Sequence, residues 1–146
     1  MNQAAGILFT DGKKILLLKR SNDCDEPNTW GLPFGGGRKG ESPIGTAMRE
    51  TKEETGLKSI PGKQIDSIQR KMGSDRCTVF VYRVEKPFLV KLSKEHNGSK
   101  WASLGSIRGM NLHPKFRSSL DLYLRAIRKG AFDFSEWVDF QKLLDC

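Results

Sequence analysis

The chain has 146 residues and a mass of 16.4 kDa, with 25 Lys and Arg against 17 Asp and Glu, a formal net charge of +8 and a pI near 9.6. That length suits one domain, and 37% apolar residues with 8 Phe and 3 Trp exclude a disordered chain. No run approaches the ~18 apolar residues that span a bilayer, and the opening residues lack a basic-then-apolar secretory signal, so the expectation is a cytoplasmic protein with no membrane partner.

Ala4–Thr10 and Lys14–Lys19, with Asp11-Gly12 between them, predict a hairpin of two apolar strands. The polar stretch Ser21–Thr29 predicts a surface loop before a short strand at Trp30–Leu32, and a glycine cluster follows at Gly35, Gly36, Gly37 and Gly40. From Ser42 the period changes, and Ile44, Ala47, Met48, Thr51 and Thr55 share one helical face. Ser42 is placed to cap the start, Pro43 suits the first turn and Gly56 suits the end. Strands are expected at Gln64–Lys71, Arg76–Val84 and Phe88–Leu92. Phe116, Leu120, Tyr123, Leu124 and Ile127 predict a second amphipathic helix ending near Gly130, and Phe132–Leu144 a short helix with Trp137 and Phe140 as packing residues.

Cys24, Cys77 and Cys146 are widely spaced and few, which argues against a disulfide framework or a zinc site. The charge is uneven: residues 58–130 carry 16 basic and 5 acidic side chains. Such a half raises the local concentration of anions, so a polyphosphate or a nucleic acid is the partner class it suits.

Glu50, Glu53 and Glu54 stand at i, i+3 and i+4 of the first helix, where their side chains converge. Three carboxylates together repel one another unless a cation compensates, and hard divalent cations take oxygen ligands. The surrounding spacing is specific: Gly35, five residues, Glu41, seven residues, then Arg49-Glu50-Thr51-Lys52-Glu53-Glu54-Thr55-Gly56-Leu57. Seven identities at fixed spacing arise by chance about once in a million chains. The pattern resembles the Nudix box, with Thr51 at a normally aliphatic position and Phe34-Gly35 where Gly-Gly is common.

The resemblance implies an α+β fold, a mixed sheet between helices (α/β/α), over residues 1–130, with 131–146 a tail docked on it in a monomer or homodimer. It implies Mg2+, with Mn2+ as a substitute, and hydrolysis of the pyrophosphate bond in a nucleoside diphosphate linked to another group. Substrates of the nucleoside triphosphate, ADP-ribose, dinucleoside polyphosphate and FAD types remain open. Glu50, Glu53 and Glu54 are the implied metal ligands, joined by Glu95, which lies six residues before Trp101 on a later loop as in MutT. Glu50 is the implied base, with Glu54 and Glu95 as alternatives, and Arg49 the residue that orients a glutamate. Lys19 and Arg20 are candidate phosphate clamps; Gly35, Gly36, Glu41 and Phe34 are candidate substrate-side residues. Trp30, Phe34 and Phe116 are candidates to stack a base, and His113 to contact it. Two further readings stay open: an inactive nucleotide- or RNA-binding module, and a hydrolase of RNA ends.

Overall fold

The computed structural model describes the backbone of residues 2–144 and the side chains of residues 2–130. The predicted hairpin forms only at its closed end. Asp11 Oδ1 accepts from the amides of Lys13 and Lys14, both at 2.9 Å, and turns β1 (Asn2–Thr10) into β2 (Lys14–Arg20). The two strands pair at Thr10 and Ile15 and then separate, because each finds other partners. On its inner edge β1 takes β4 (Phe34–Gly36) and β2 takes β3 (Trp30–Gly31). On the outer edges β1 runs parallel to β6 (Asp75–Arg83), which pairs with β5 (Lys63–Met72), and β2 runs antiparallel to β7 (His96–Ser103). A mixed seven-stranded sheet results among the described residues, split where β3 and β4 enter it.

β1 and β2 are apolar on both faces, and both faces are covered. Ala5, Ile7, Phe9, Leu16 and Leu18 meet Ala47 and Met48 of helix α1 (Pro43–Thr55). Leu8, Ile15, Leu17, Val79 and Val81 meet Phe116, Leu120, Tyr123, Leu124 and Ile127 of helix α2 (Pro114–Leu144). The α/β/α layering is therefore as expected. Helix α1 also has the predicted ends: Ser42 Oγ accepts from the Gly45 amide at 3.1 Å, and Gly56 closes the helix in the left-handed region at φ 73°.

Three expectations need correction. Phe88–Leu92 is not a strand: it alternates in an extended path, with Phe88, Val90 and Leu92 against the core and Leu89 exposed, but it joins no ladder. Contacts outside any ladder hold it: Phe88 packs edge-on against Phe9 and Trp101, its carbonyl accepts from Trp101 Nε1 at 2.9 Å, and the Lys91 amide donates to the Thr55 carbonyl at 2.8 Å. Glu95 sits in a turn, as expected, but the loop ends there: the residues after it form β7, whose His-Asn-Gly-Ser-Lys start carries no strand signal and is ordered by β2. Gly130 does not end α2, which runs on to Leu144. A Cβ there would collide with Ile65 Cδ1, so this glycine serves the close passage of helix over β5. The expected packing of Trp137 and Phe140 lies outside the described side chains. No described helix is long and apolar enough to cross a membrane.

Candidate active site

One turn of α1 places its carboxylates beside β4 and the start of β7. Glu54 points inward and is only 3% exposed. Its Oε2 accepts the Phe34 amide at 3.0 Å, so β4 fixes its orientation. Burial, with the Glu50 charge adding to it, pushes its carboxyl up to about 9. Glu50 lies against Gly35, where any Cβ would fall on its carboxylate. Burial also raises the Glu50 carboxyl, although Arg49 Nη1 donates to Oε1 at 2.9 Å. Glu53 is half exposed, 3.4 Å from Arg49 Nη1 and 3.6 Å from Arg38.

Arg49 is the organiser of this group. Its Nε and Nη2 donate to the two oxygens of Glu41 at 2.8 and 3.0 Å, Nη2 also donates to the Gly36 carbonyl at 2.9 Å, and Nη1 serves Glu50. Arg49 does orient a glutamate, and the one it holds bidentately is Glu41. Glu41 also accepts from Thr46 Oγ1 at 2.7 Å and the Arg38 amide at 2.9 Å; the Arg49 bonds first, and these two after them, hold its carboxyl far below the usual range. It is thereby committed to anchoring Arg49 and the 36–41 loop.

Glu95 is brought to the same place. A carboxylate oxygen of Glu54, one of Glu95 and a ring nitrogen of His96 lie within 4.8 Å of one another, and the charges of Glu50 and Glu95 are felt at Glu54. His96 is a residue that the sequence reading left aside; its adjacency to Glu95 was the available signal. Burial lowers its imidazole to about 4, so at neutral pH its 3.6 Å approach to Glu54 joins two uncharged groups. Arg20 acts on both Glu54 and His96 through its charge, while its Nε donates to the Asp25 carbonyl at 2.5 Å. Lys19 sits half-buried on β2 opposite Trp30 and Gly98. Gly36 faces open space and contributes its carbonyl to Arg49.

The Phe34 ring turns to the other face of the sheet. There it lines a small cleft of about 60 Å³ with Leu32, Met72, Cys77, His113, Phe116 and Tyr123, while Trp30 packs on the core beside it. Cys24 and Cys77 are free thiols. The oxygen donors of Glu50, Glu54 and Glu95 suit a hard divalent cation, and a carboxyl kept protonated by burial is one that a cation would discharge.

Residues 1–125 match the NUDIX domain family. An RNA pyrophosphohydrolase of Bartonella clarridgeiae is 29% identical over 137 residues, covering 90% of this chain and 68% of that protein. A putative 8-oxo-dGTP diphosphatase of Bacillus subtilis is 33% identical over 101 residues, 69% of this chain and 65% of that protein, so the chain spans less than two thirds of this relative. Among solved structures, the MutT protein of Methanosarcina mazei Go1 superposes with a TM-score of 0.66 at 30% identity, over 88% of this chain and 94% of the other. With a box whose glutamates and arginine converge on one corner of the sheet, the chain belongs to the Nudix family and is a pyrophosphohydrolase acting on nucleoside diphosphate derivatives.

Proposed function

We propose that the chain hydrolyses the pyrophosphate bond of a nucleoside diphosphate linked to another group, with Mg2+ or Mn2+ held by Glu50, Glu54 and Glu95 and with Glu53 at the rim. The observation that carries this reading is the double role of Phe34. Its amide is bonded to Glu54 on the carboxylate side, and its ring walls a small apolar cleft on the other, whose mouth offers a base an aromatic edge. A substrate lying across β4 would present phosphates to one side and a base to the other.

A bound divalent cation neutralises phosphate oxygens and makes water a better nucleophile. Glu50 accepts the proton of the attacking water, and its burial-raised carboxyl is nearer to neutral pH than an exposed one. The water oxygen forms a new bond to phosphorus while the bridging phosphorus–oxygen bond breaks, and a nucleotide and a second phosphorylated product leave. Arg49 keeps Glu50 in position through its Glu41 anchor. Arg20 and Lys19 supply positive charge to the departing phosphate.

A second reading, an RNA 5′ end as substrate, is favoured by the basic surface of residues 58–130 and by the Bartonella relative. The test is a panel of nucleoside triphosphates, ADP-ribose, dinucleoside polyphosphates, FAD and 5′-triphosphate RNA, assayed with Mg2+ or Mn2+. Product release from at least one supports the reading; cation-independent release, or none from any, overturns it. Activity on long RNA that collapses with added salt selects the second reading.

A further inference from the structure

His96 stands out among the polar groups at the carboxylate corner. Its side chain is 3% exposed, its Nδ1 has no hydrogen-bond partner among the described residues, and its Nε2 is 3.6 Å from Glu54 Oε1, too far for a hydrogen bond. A buried imidazole nitrogen left without a partner is destabilising by its desolvation, and Nε2 faces Glu54 without a hydrogen bond. The fold nonetheless holds it firmly. His96 opens β7 opposite Arg20, and its amide donates to the Ser93 carbonyl at 3.3 Å. One of its ring nitrogens lies within 4.8 Å of oxygens from both Glu54 and Glu95. Glu54 has an oxygen to spare on that side, because the Phe34 amide occupies the other.

We propose that His96 is a nitrogen ligand of the cation, so that Glu54, Glu95 and His96 form a mixed nitrogen–oxygen site selecting a first-row transition ion, Mn2+ in the first instance, over Mg2+. The proposal rests on the reading of these carboxylates as a cation site. Magnesium takes oxygen donors and gives up its water reluctantly, whereas an imidazole raises affinity for first-row transition ions, of which Mn2+ binds least tightly and is the paramagnetic probe. Small shifts of Glu54 and His96 toward each other suffice to share one ion. An ion bound there would engage the nitrogen that faces Glu54, Nε2.

The test uses the full-length protein and Mn2+ alone. Pulsed electron paramagnetic resonance of the bound ion is recorded with unlabelled and with 15N-histidine protein, and binding of Mn2+ and Mg2+ is titrated calorimetrically. A directly coordinated nitrogen whose modulation changes with the label, lost in His96→Gln and kept in His113→Asn, is the expected result. So is an at least tenfold weakening of Mn2+ binding in His96→Gln with less than threefold change for Mg2+. Bound Mn2+ with no nitrogen coupling in the unmutated protein overturns the proposal, and that measurement needs no variant to fold. Equal weakening of both ions also overturns it, since it marks His96 as a mere support for Glu54. If Mn2+ does not bind, or binds Glu54→Gln as well as the unmutated protein, it is the carboxylate reading itself that fails.

Discussion

Arg49 grips Glu41 through two parallel hydrogen bonds of 2.8 and 3.0 Å, eight residues apart in the chain, and with its remaining nitrogen holds Glu50. The planar guanidinium makes this possible, and an ammonium cannot reproduce it. Arg49→Lys should therefore lower kcat by about tenfold to a hundredfold, the range expected for a residue acting through a ligand. Steady-state kinetics alongside a thermal melt checks this; unchanged kcat would show that Glu50 needs no such support.

Gly35 and Gly36 are neighbours with opposite surroundings. A Cβ at Gly35 falls on the Glu50 carboxylate, whereas one at Gly36 meets nothing within 4 Å. Gly35→Ala is expected to reduce turnover by about a hundredfold, the scale on which misplaced reacting groups act. Gly36→Ala should stay within about twofold, because the carbonyl that Arg49 uses survives the change. Equal effects of the two substitutions would contradict the packing described.

The Glu54 carboxyl sets a pH dependence whose sign follows from its direction. Burial raises it from the ordinary 4.5 to about 9, so over that interval the folded chain holds a proton that the unfolded chain has released. Stability of the metal-free protein should therefore fall as pH rises through the interval, by up to about 1.4 kcal/mol per pH unit from this group. A cation discharges the proton, so binding near neutral pH should release about one proton and tighten with rising pH. Calorimetry in buffers of different ionisation enthalpy measures that release, and no proton released would speak against Glu54 as a ligand.

Phe34→Ala removes the ring from the cleft and keeps the amide that bonds Glu54. Loss of a base contact worth about 1–3 kcal/mol predicts a KM raised roughly tenfold or more, with kcat changed far less. A fall in kcat at constant KM would place the ring outside the substrate site.

Gly130→Ala tests the close passage of α2 over β5. Alanine in a free helix is about 1 kcal/mol better than glycine. Here its methyl meets the end of the Ile65 side chain, which must turn aside, so the propensity gain should be offset and the net change in denaturant unfolding stay well below about 1 kcal/mol. The full propensity gain would contradict the contact.

Helix α1 was fully legible in the sequence because local chemistry sets it: Ser42, Pro43 and Gly56 mark its ends, and the box spacing aligns its glutamates. The splaying of β1 from β2 was not, since it depends on β6 and β7, far along the chain, which outcompete the hairpin ladder. Phe88–Leu92 shows the converse, an alternating pattern whose burial comes from Phe9 and Trp101 rather than from strand pairing. At the site, the box foretold that Arg49 orients a glutamate, but the choice of Glu41 over the nearer carboxylates is made by the 36–41 loop folding back. For His96 the sequence offers only its place beside Glu95, and it takes β7 to align the ring with Glu54.

The most direct measurement is anomalous diffraction from crystals equilibrated with Mn2+. A peak within bonding distance of Glu54 and Glu95, with Glu50 beside it, is the predicted result. A peak elsewhere, or none at millimolar Mn2+, would contradict a cation-based hydrolysis at this corner of the sheet.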